Sequence, residues 1–274
     1  MDDPFYLFMH IPKTAGTTLR SIVDEQYGAR NVLTYYNQNS RQLLDNLDAT
    51  LQVGRHDYKT LIGHFQYGVH SSLTRLAKYI TFLRDPVARA ISSYYENAKR
   101  MSPAVVDQDG ELMTLEDCLS KREEFFANQQ LKMIIGKGAM EPVKPRDLET
   151  ARDNIYNDFI FTGITEYFDA SILLLSRMIG WRPCTYGRLN AKPNTKRLSD
   201  SDFLQLQHIN YFENCLYEEA LSSLLSDMRD GGDVFDHALK ELSESTTKTA
   251  VSEITEAQLL TSNNIKITSF LRDP

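Results

Sequence analysis

The sequence predicts an α/β fold: a three-layer sandwich with a central parallel sheet and helices on both faces. Short apolar runs alternate with stretches of helical periodicity, the pattern of a parallel sheet joined by helices. The chain has 274 residues, of which 42% are hydrophobic, enough to bury the core of one large domain. Helical patterns dominate the C-terminal half, so helical additions are expected there. The predicted domain covers residues 1–245. Residues 246–274 are polar and rich in Ser and Thr, and predict a peripheral or loosely ordered extension.

The elements follow in order along the chain. Apolar runs predict strands at residues 5–10, 31–35, 59–63, 79–83 and 158–162. Amphipathic stretches predict helices at residues 17–27, 41–51, 71–77 and 86–100, followed by helices with loop breaks over 115–156 and further helices at 170–179 and 200–227. The helix at 86 has a strong start signal, because Asp85 can cap it and Pro86 suits the first helical position.

Composition excludes several classes of protein. The net charge of −7 argues against a general nucleic-acid binder, which normally carries a basic face. Three widely spaced cysteines, Cys118, Cys184 and Cys215, indicate neither a disulfide framework nor a zinc site and favour a reducing compartment. No apolar run reaches the roughly 18 residues of a membrane-spanning helix. The expectation is therefore a cytoplasmic protein without a metal site, a transmembrane segment or a nucleic-acid partner.

The stretch "FYLFMHIPKTAGTT" carries the first functional signal. A strand ends in a loop that enters a helix, and this arrangement places backbone N–H groups and a helix N-terminus where they can bind a phosphate-like anion. Lys13 would neutralise charge, Gly16 would allow close approach, and Thr17 and Thr18 would donate hydrogen bonds. The loop is not a Walker A loop, in which lysine follows glycine directly at the helix start. An ordinary strand-turn-helix with Thr as the cap is the alternative.

The stretch "YITFLRDPVARAISSYYENA" repeats this design. Its strand ends in Arg84, and the helix that follows carries Ser92. Since the carboxyl ends of parallel strands lie along one edge, Arg84 and Lys13 are expected to face one crevice and to bind a ligand with two separated anionic groups. The alternative is a structural ion pair of Arg84 with Asp85 or another carboxylate.

Together, "HIPKTAGTT" and "FLRDPVARAISSYY" resemble the sulfotransferases that use 3'-phosphoadenosine 5'-phosphosulfate (PAPS), in the branch of the carbohydrate O-sulfotransferases of the heparan and chondroitin type. The segments "GHFQYG", "NQQLKMIIG" and "FTGITEYFDASILLL" are similar to this branch in the same order, so the resemblance runs from about residue 5 to about residue 225. It implies a P-loop-like fold and the product 3',5'-bisphosphoadenosine (PAP). The implied ligands of the 5'-phosphosulfate are Lys13, Thr14, Ala15, Gly16, Thr17 and Thr18, and those of the 3'-phosphate are Arg84 and Ser92.

Sulfuryl transfer requires in-line positioning of a hydroxyl, a base, and stabilisation of charge on the leaving phosphate. Lys13 is the predicted electrophilic partner. His64 follows a predicted strand at the same edge and matches the family's proposed catalytic histidine in the "GH" segment, so it is the predicted base. His10 is expected to pack or hydrogen-bond beneath the loop. No metal is expected to be required, since a sulfuryl donor leaves less charge to neutralise than a triphosphate.

Other signals leave alternatives open. The basic loop at residues 185–199 contains Arg188 and Lys192, which either close over the donor or form a solvated basic loop. Asn128 and Gln130 either line the acceptor side or cross-link helices. Eukaryotic members typically have an N-terminal membrane anchor and luminal disulfides, and because neither pattern is recognisable in this sequence, the resemblance is expected to be to a soluble bacterial member.

The acceptor is expected to bear a hydroxyl, on a carbohydrate, a glycolipid or another alcohol. Its identity and the oligomeric state are undetermined by the sequence. The rival functions are a small-molecule P-loop kinase and a non-catalytic nucleotide-binding or scaffold protein.

Overall fold

A computed structural model of the protein describes residues 4–36, 44, 47–52, 57–184, 186–187 and 198–250. Within these residues one sheet has the strand order β2-β3-β1-β4-β5, and all of its pairs are parallel. The strands are β1 Phe5–Met9, β2 Val32–Tyr35, β3 Thr60–Gly63, β4 Ala77–Leu83 and β5 Phe159–Ile164. Every residue of β1 is buried. Because successive side chains point to opposite faces, both faces of the sheet are covered. The predicted α/β fold with a P-loop-like parallel sheet is confirmed.

Helices surround this sheet and form the C-terminal half. They are α1 Gly16–Tyr27, α2 Leu47–Gln52, α3 Pro86–Lys99, α4 Leu115–Lys121, α5 Gln129–Ile134, α6 Pro145–Asp158, α7 Phe168–Ile179, α8 Asp200–Ile209, α9 Tyr211–Asp230 and α10 Gly232–Ala250. The start signal of α3 is confirmed, since the Asp85 carboxylate accepts the N–H of Ala88 at 2.7 Å and Pro86 is the first helical residue. None of the helices in the described ranges is long and apolar enough to cross a membrane.

One helix prediction was wrong, and a second is confirmed except for a break at one residue. The predicted helix at 71–77 is a short 3-10 turn, Val69–Ser72, followed by a loop. The Tyr79 hydroxyl accepts the backbone N–H groups of Gly68 and His70 at 3.1 Å each, and so holds this turn against the sheet. The predicted helix at 200–227 is split into α8 and α9 at the buried Asn210, whose side-chain oxygen accepts the backbone N–H of Asn128 at 2.7 Å.

Other predicted boundaries lie partly outside the described residues. The predicted helix at 41–51 overlaps α2, and residues 41–43 and 45–46 lie outside the described residues. At the C-terminus, α10 passes the predicted domain boundary at 245 and continues to Ala250, with Thr246 buried. Since residues 251–274 are outside the described part of the chain, the boundary stays a prediction.

The sheet order positions the candidate site. Strand β1 lies between β3 and β4, so the segments that follow these three strands begin side by side at one edge of the sheet. They carry the predicted site residues Lys13, His64 and Arg84. At this edge the N–H of His10 donates to the carbonyl of Gly63 at 2.8 Å, which ties the ends of β1 and β3 together.

Candidate active site

The loop between β1 and α1 exposes a row of backbone donors. Lys13 and Ala15 both have left-handed backbone conformations, with φ of 74° and 61°. Ala15 is the N-cap of α1 and supplies no side-chain cap. Among the described residues, no protein acceptor takes the N–H groups of residues 13–17. Left-handed residues next to a helix N-terminus form an anion-binding concavity, so this loop is a candidate phosphate cradle, and the alternative of a Thr cap does not apply.

The threonines of the loop differ in their surroundings. The Thr14 hydroxyl is buried and donates to the carbonyl of Ile11 at 2.8 Å, so it braces the loop. Its backbone N–H has no acceptor among the described residues. Thr17 is exposed at the first turn of α1, while Thr18 is buried.

The need for glycine at position 16 is explained by the neighbouring His10. A Cβ atom at Gly16 would lie 1.6 Å from Nε2 of His10, so the imidazole occupies the space that a side chain would need. The ring also shares a hydrogen bond between Nδ1 and the Tyr36 hydroxyl at 3.2 Å. The sequence predicts that this glycine allows close approach of a ligand. The structure adds close approach of His10, which packs beneath the cradle as expected.

Arg84 reaches the cradle from the end of β4. Its guanidinium NH1 donates to the carbonyl of Lys13 at 3.1 Å, so the structure brings these two predicted residues together. Its Nε lies 4.0 Å from a carboxylate oxygen of Glu166, so part of the alternative structural ion pair is also present. Glu166 is tied down by the backbone N–H of Asp85 and by the Tyr217 hydroxyl, each at 3.1 Å.

The backbone of Arg84 is clamped by a buried amide. Gln130 Oε1 accepts the N–H of Arg84 at 2.9 Å, and Nε2 donates to the Arg84 carbonyl at 2.8 Å. The same Nε2 donates to Glu213, which forms a buried ion pair with Arg89 at 3.5 Å. Buried charges need such pairing, so this network fixes the end of β4. Gln130 therefore cross-links helices and holds a site residue, and does not line an acceptor surface.

Helix α3 lies beside the cradle. It carries Ser92, which the sequence predicts as a site residue, and Glu96, which it does not. Ser92 is half-buried, and within the described part of the chain its hydroxyl has no protein partner. One turn further along, the Glu96 carboxylate lies 3.4 Å from Nζ of Lys13. The Lys13 ammonium is the first cause that keeps the pKa of Glu96 below its usual range. The ion pair brings α3 and the loop after β1 together.

His64 follows β3 at the same edge of the sheet. Its Nδ1 lies 2.7 Å from the carbonyl oxygen of His10, and the two imidazole rings are 4.4 Å apart. A carbonyl oxygen only accepts, so Nδ1 carries the proton and donates it. In the neutral ring this leaves Nε2 with a free lone pair, which is the state required of a general base.

The environment favours the neutral form of both histidines. Removal from water is the main cause that lowers the pKa of His64 below 6.5, although part of the residue stays exposed. Burial also lowers the pKa of His10 to about 3, with further lowering from the nearby charges of His64 and Lys13. The two histidines therefore form an uncharged pair beside the cradle.

Sequence reasoning missed three features of this site. Glu96 was identifiable from its spacing, because residues four apart lie on one helix face and Ser92 was already predicted to face the crevice. Glu166 follows β5 at the same edge as Arg84, a position that should have marked it as a strand-end carboxylate. The clamp by Gln130 had no sequence signal, since its partner lies 46 residues away.

Several predicted features lie elsewhere. Arg188 and Lys192 lie outside the described residues, so their predicted contact with the donor stays a prediction. Asn128 is buried and donates from Nδ2 to the carbonyl of Ile209, which makes it a cross-link between α5 and α8. In the described ranges, no three His, Cys, Asp or Glu residues form a group suited to a metal ion.

One family model matches part of the chain. Residues 2–133 match the family model described as "Sulfotransferase family", a span that includes the cradle, His64, Arg84 and Ser92. None of the curated proteins matches the chain in sequence.

Two solved structures are similar to the chain. A sulfotransferase from Alicyclobacillus acidocaldarius has 11% identity and a TM-score of 0.44, over 82% of this chain and 96% of that one. A mouse sulfotransferase complexed with PAP has 14% identity and a TM-score of 0.41, over 88% of this chain and 89% of that one. Similarity at this level does not transfer residue roles between proteins. The family match covers slightly less than half of the chain.

Proposed function

We propose that this protein is a PAPS-dependent O-sulfotransferase that transfers a sulfuryl group to a hydroxyl of an acceptor by in-line displacement. The observation that carries the proposal is the contact between Arg84 and the carbonyl of Lys13 at 3.1 Å. It joins a row of backbone N–H groups that have no acceptor among the described residues to a second cationic position, which suits a ligand with two separated anionic groups. The family match of residues 2–133 supports the same chemistry.

The residues fit the donor in two parts. The N–H groups of residues 13–17 and the Lys13 ammonium would hold the 5'-phosphosulfate. Arg84 and the Ser92 hydroxyl would hold the 3'-phosphate, because guanidinium groups suit phosphate geometry and this hydroxyl is not used by a described neighbour. The bound donor supplies the sulfuryl group and a phosphate leaving group.

The chain's own residues supply a base and charge stabilisation. His64 accepts the acceptor's hydroxyl proton at Nε2, while its Nδ1–H stays on the carbonyl of His10 at 2.7 Å. Lys13 and the N-terminus of α1 stabilise the negative charge that grows on the leaving phosphate. A carbohydrate hydroxyl is the first acceptor class to screen, followed by glycolipids and other alcohols. The cytoplasmic location belongs to the proposal, and the three free cysteines support it.

Titration calorimetry tests the donor site. PAP, ADP and ATP are titrated with and without Mg²⁺ into the wild type, Ser92→Ala and the neighbouring control Ser93→Ala. We expect PAP to bind without Mg²⁺ and more tightly than ADP, and Ser92→Ala alone to weaken PAP about tenfold, the loss of a hydrogen bond to a charged group. Binding of ATP only with Mg²⁺ would instead establish a kinase. PAP binding without release of PAP from PAPS in any acceptor screen would identify a non-catalytic nucleotide-binding protein.

A further inference from the structure

The ion pair between Lys13 and Glu96 has a special position in the candidate site. Lys13 belongs to the loop after β1, and Glu96 belongs to α3, one helical turn beyond Ser92. The ammonium and the carboxylate are 3.4 Å apart, and 29% of each side chain is exposed. The side chain proposed to stabilise the leaving phosphate is therefore held by a carboxylate that would repel the donor.

The backbone and the side chain of Lys13 are held by different partners. Its backbone carbonyl accepts a hydrogen bond from Arg84, so the loop itself stays attached to the end of β4. Its side chain is a flexible stem of four carbons with an ammonium group at the tip. The ammonium can thus leave Glu96 and turn to another anion without a change in the backbone of the cradle.

Glu96 does not depend on Lys13 for a partner. Its other carboxylate oxygen lies 2.6 Å from Arg100, and Lys99 is 4.0 Å away. Both of these side chains are about three-quarters exposed, at 74% and 75%. If Lys13 leaves, Glu96 stays paired and no buried charge is left alone, so exchange of Lys13 costs little.

We propose that Glu96 is a positioning residue that holds the Lys13 ammonium beside α3 and competes for it with the anionic groups of the donor. Donor binding transfers Lys13 from Glu96 to the 5'-phosphosulfate, while Glu96 keeps Arg100 and Lys99. The carboxylate thereby lowers donor and product affinity and promotes release of PAP after transfer. This inference rests on the proposed function, because it needs the cradle to bind the donor.

The test compares Glu96→Gln with the control Glu149→Gln, which removes the same charge from a pair with Arg152 on α6. Calorimetry should give Glu96→Gln a PAP dissociation constant about two- to fivefold lower than that of the wild type, the range expected for a partly exposed pair. The gain should shrink at high ionic strength. The gain in PAP affinity should vanish when Lys13→Ala is added to both the wild type and Glu96→Gln. The control Glu149→Gln should bind PAP with the affinity of the wild type.

A second measurement does not need the donor. The proteins are treated briefly with an acetylating reagent, and the acetylated fraction at Lys13 is quantified by mass spectrometry against Lys121 as an internal standard. Glu96→Gln should raise the rate of acetylation at Lys13 about two- to fivefold, because the amine has lost its carboxylate partner. Bound PAP should protect Lys13 from acetylation.

Unchanged acetylation, or PAP affinity that is unchanged or lower in Glu96→Gln, would overturn the inference while leaving a PAP-binding wild type intact. If the wild type does not bind PAP, the proposed function fails and this inference fails with it. Thermal melts of each variant verify that the substitutions leave the fold in place.

Discussion

The Arg84 guanidinium donates a hydrogen bond to the backbone carbonyl of Lys13 at 3.1 Å, across 71 residues of sequence. The contact ties the end of β4 to the cradle after β1. It leaves the other guanidinium donors near Glu166, whose closest oxygen is 4.0 Å from Nε. Arg84 therefore has a structural partner and donors for a ligand, and the two roles need separate tests.

Arg84→Ala is expected to lower PAP affinity about 10- to 100-fold, since hydrogen bonds to charged groups are worth about 1.5–3 kcal/mol. The affinity for ADP, which lacks the 3'-phosphate, should fall much less. Calorimetry with both ligands measures the difference. An equal loss for PAP and ADP would mean that Arg84 only shapes the cradle. Arg152→Ala, which removes an exposed arginine from α6, should leave both affinities unchanged.

His64→Asn is expected to abolish turnover without loss of donor binding. The asparagine amide can still donate to the His10 carbonyl, but it cannot accept a proton. Loss of a general base lowers kcat about 10²- to 10⁴-fold, while PAP affinity should stay near that of the wild type. The substitution His237→Asn on α10 is the control, because that histidine is exposed and pairs with Glu241. A variant that keeps its kcat would exclude His64 as the base.

The pH profile of the wild type provides an independent check. Because desolvation lowers the pKa of His64 below 6.5, the base is neutral at and above that pH. We expect activity to persist below pH 6.5 and to fall only as the pH passes through the lowered pKa. The acidic limb of the plot of kcat against pH gives this midpoint. A midpoint above 6.5 would contradict the assignment.

Gly16→Ala is expected to destabilise the protein by about 1–3 kcal/mol, the usual cost of overpacking. The new Cβ would lie 1.6 Å from Nε2 of His10. In the double variant with His10→Ala, part of this loss should be recovered, because the imidazole that clashes is gone. Gly187→Ala is the control, since among the described residues no atom outside its chain neighbours lies within 4 Å of its Cβ position. Chemical denaturation is measured for the wild type, Gly16→Ala, His10→Ala, the double variant and the control, and equal losses with and without His10 would refute the packing explanation.

His10 is also expected to make stability depend on pH. Its pKa is about 3 in the folded protein and 6.5 in the unfolded chain, so the unfolded state binds the proton first as pH falls. The contribution of the neutral His10 ring to the unfolding free energy is complete above pH 6.5 and declines as the pH drops from 6.5 towards 3.

The difference between wild type and His10→Gln isolates this contribution. Between pH 7 and pH 5 the wild type should lose about 1–2 kcal/mol of unfolding free energy more than His10→Gln. The comparison is needed because burial raises the pKa of Asp85 and of Glu166, which changes stability in the opposite direction. If the unfolding free energies of the wild type and His10→Gln changed in parallel with pH, His10 would not be neutral in the folded protein.

Local patterns predicted the elements that local chemistry controls. The strands were recognisable as apolar runs, and α3 by Asp85 and Pro86, because capping acts over three or four residues. The same reasoning failed for residues 71–77, where the Tyr79 hydroxyl takes the backbone donors of the turn. It also failed at Asn210, whose side chain pairs with the backbone of Asn128, 82 residues away. Tertiary hydrogen bonds overrode helical periodicity at both places.

The sequence by itself determined that the chain is an α/β protein, that Lys13, His64 and Arg84 follow strands, and that the loop after β1 suits an anion. These properties depend on neighbouring residues and on the rule that parallel strands end at one edge. Only the tertiary structure decided that His10 fills the space that a side chain at Gly16 would need, that His64 presents Nε2, and that Lys13 is paired with Glu96 across 83 residues. Such partners are chosen by the packing of distant segments, and no local pattern encodes that choice.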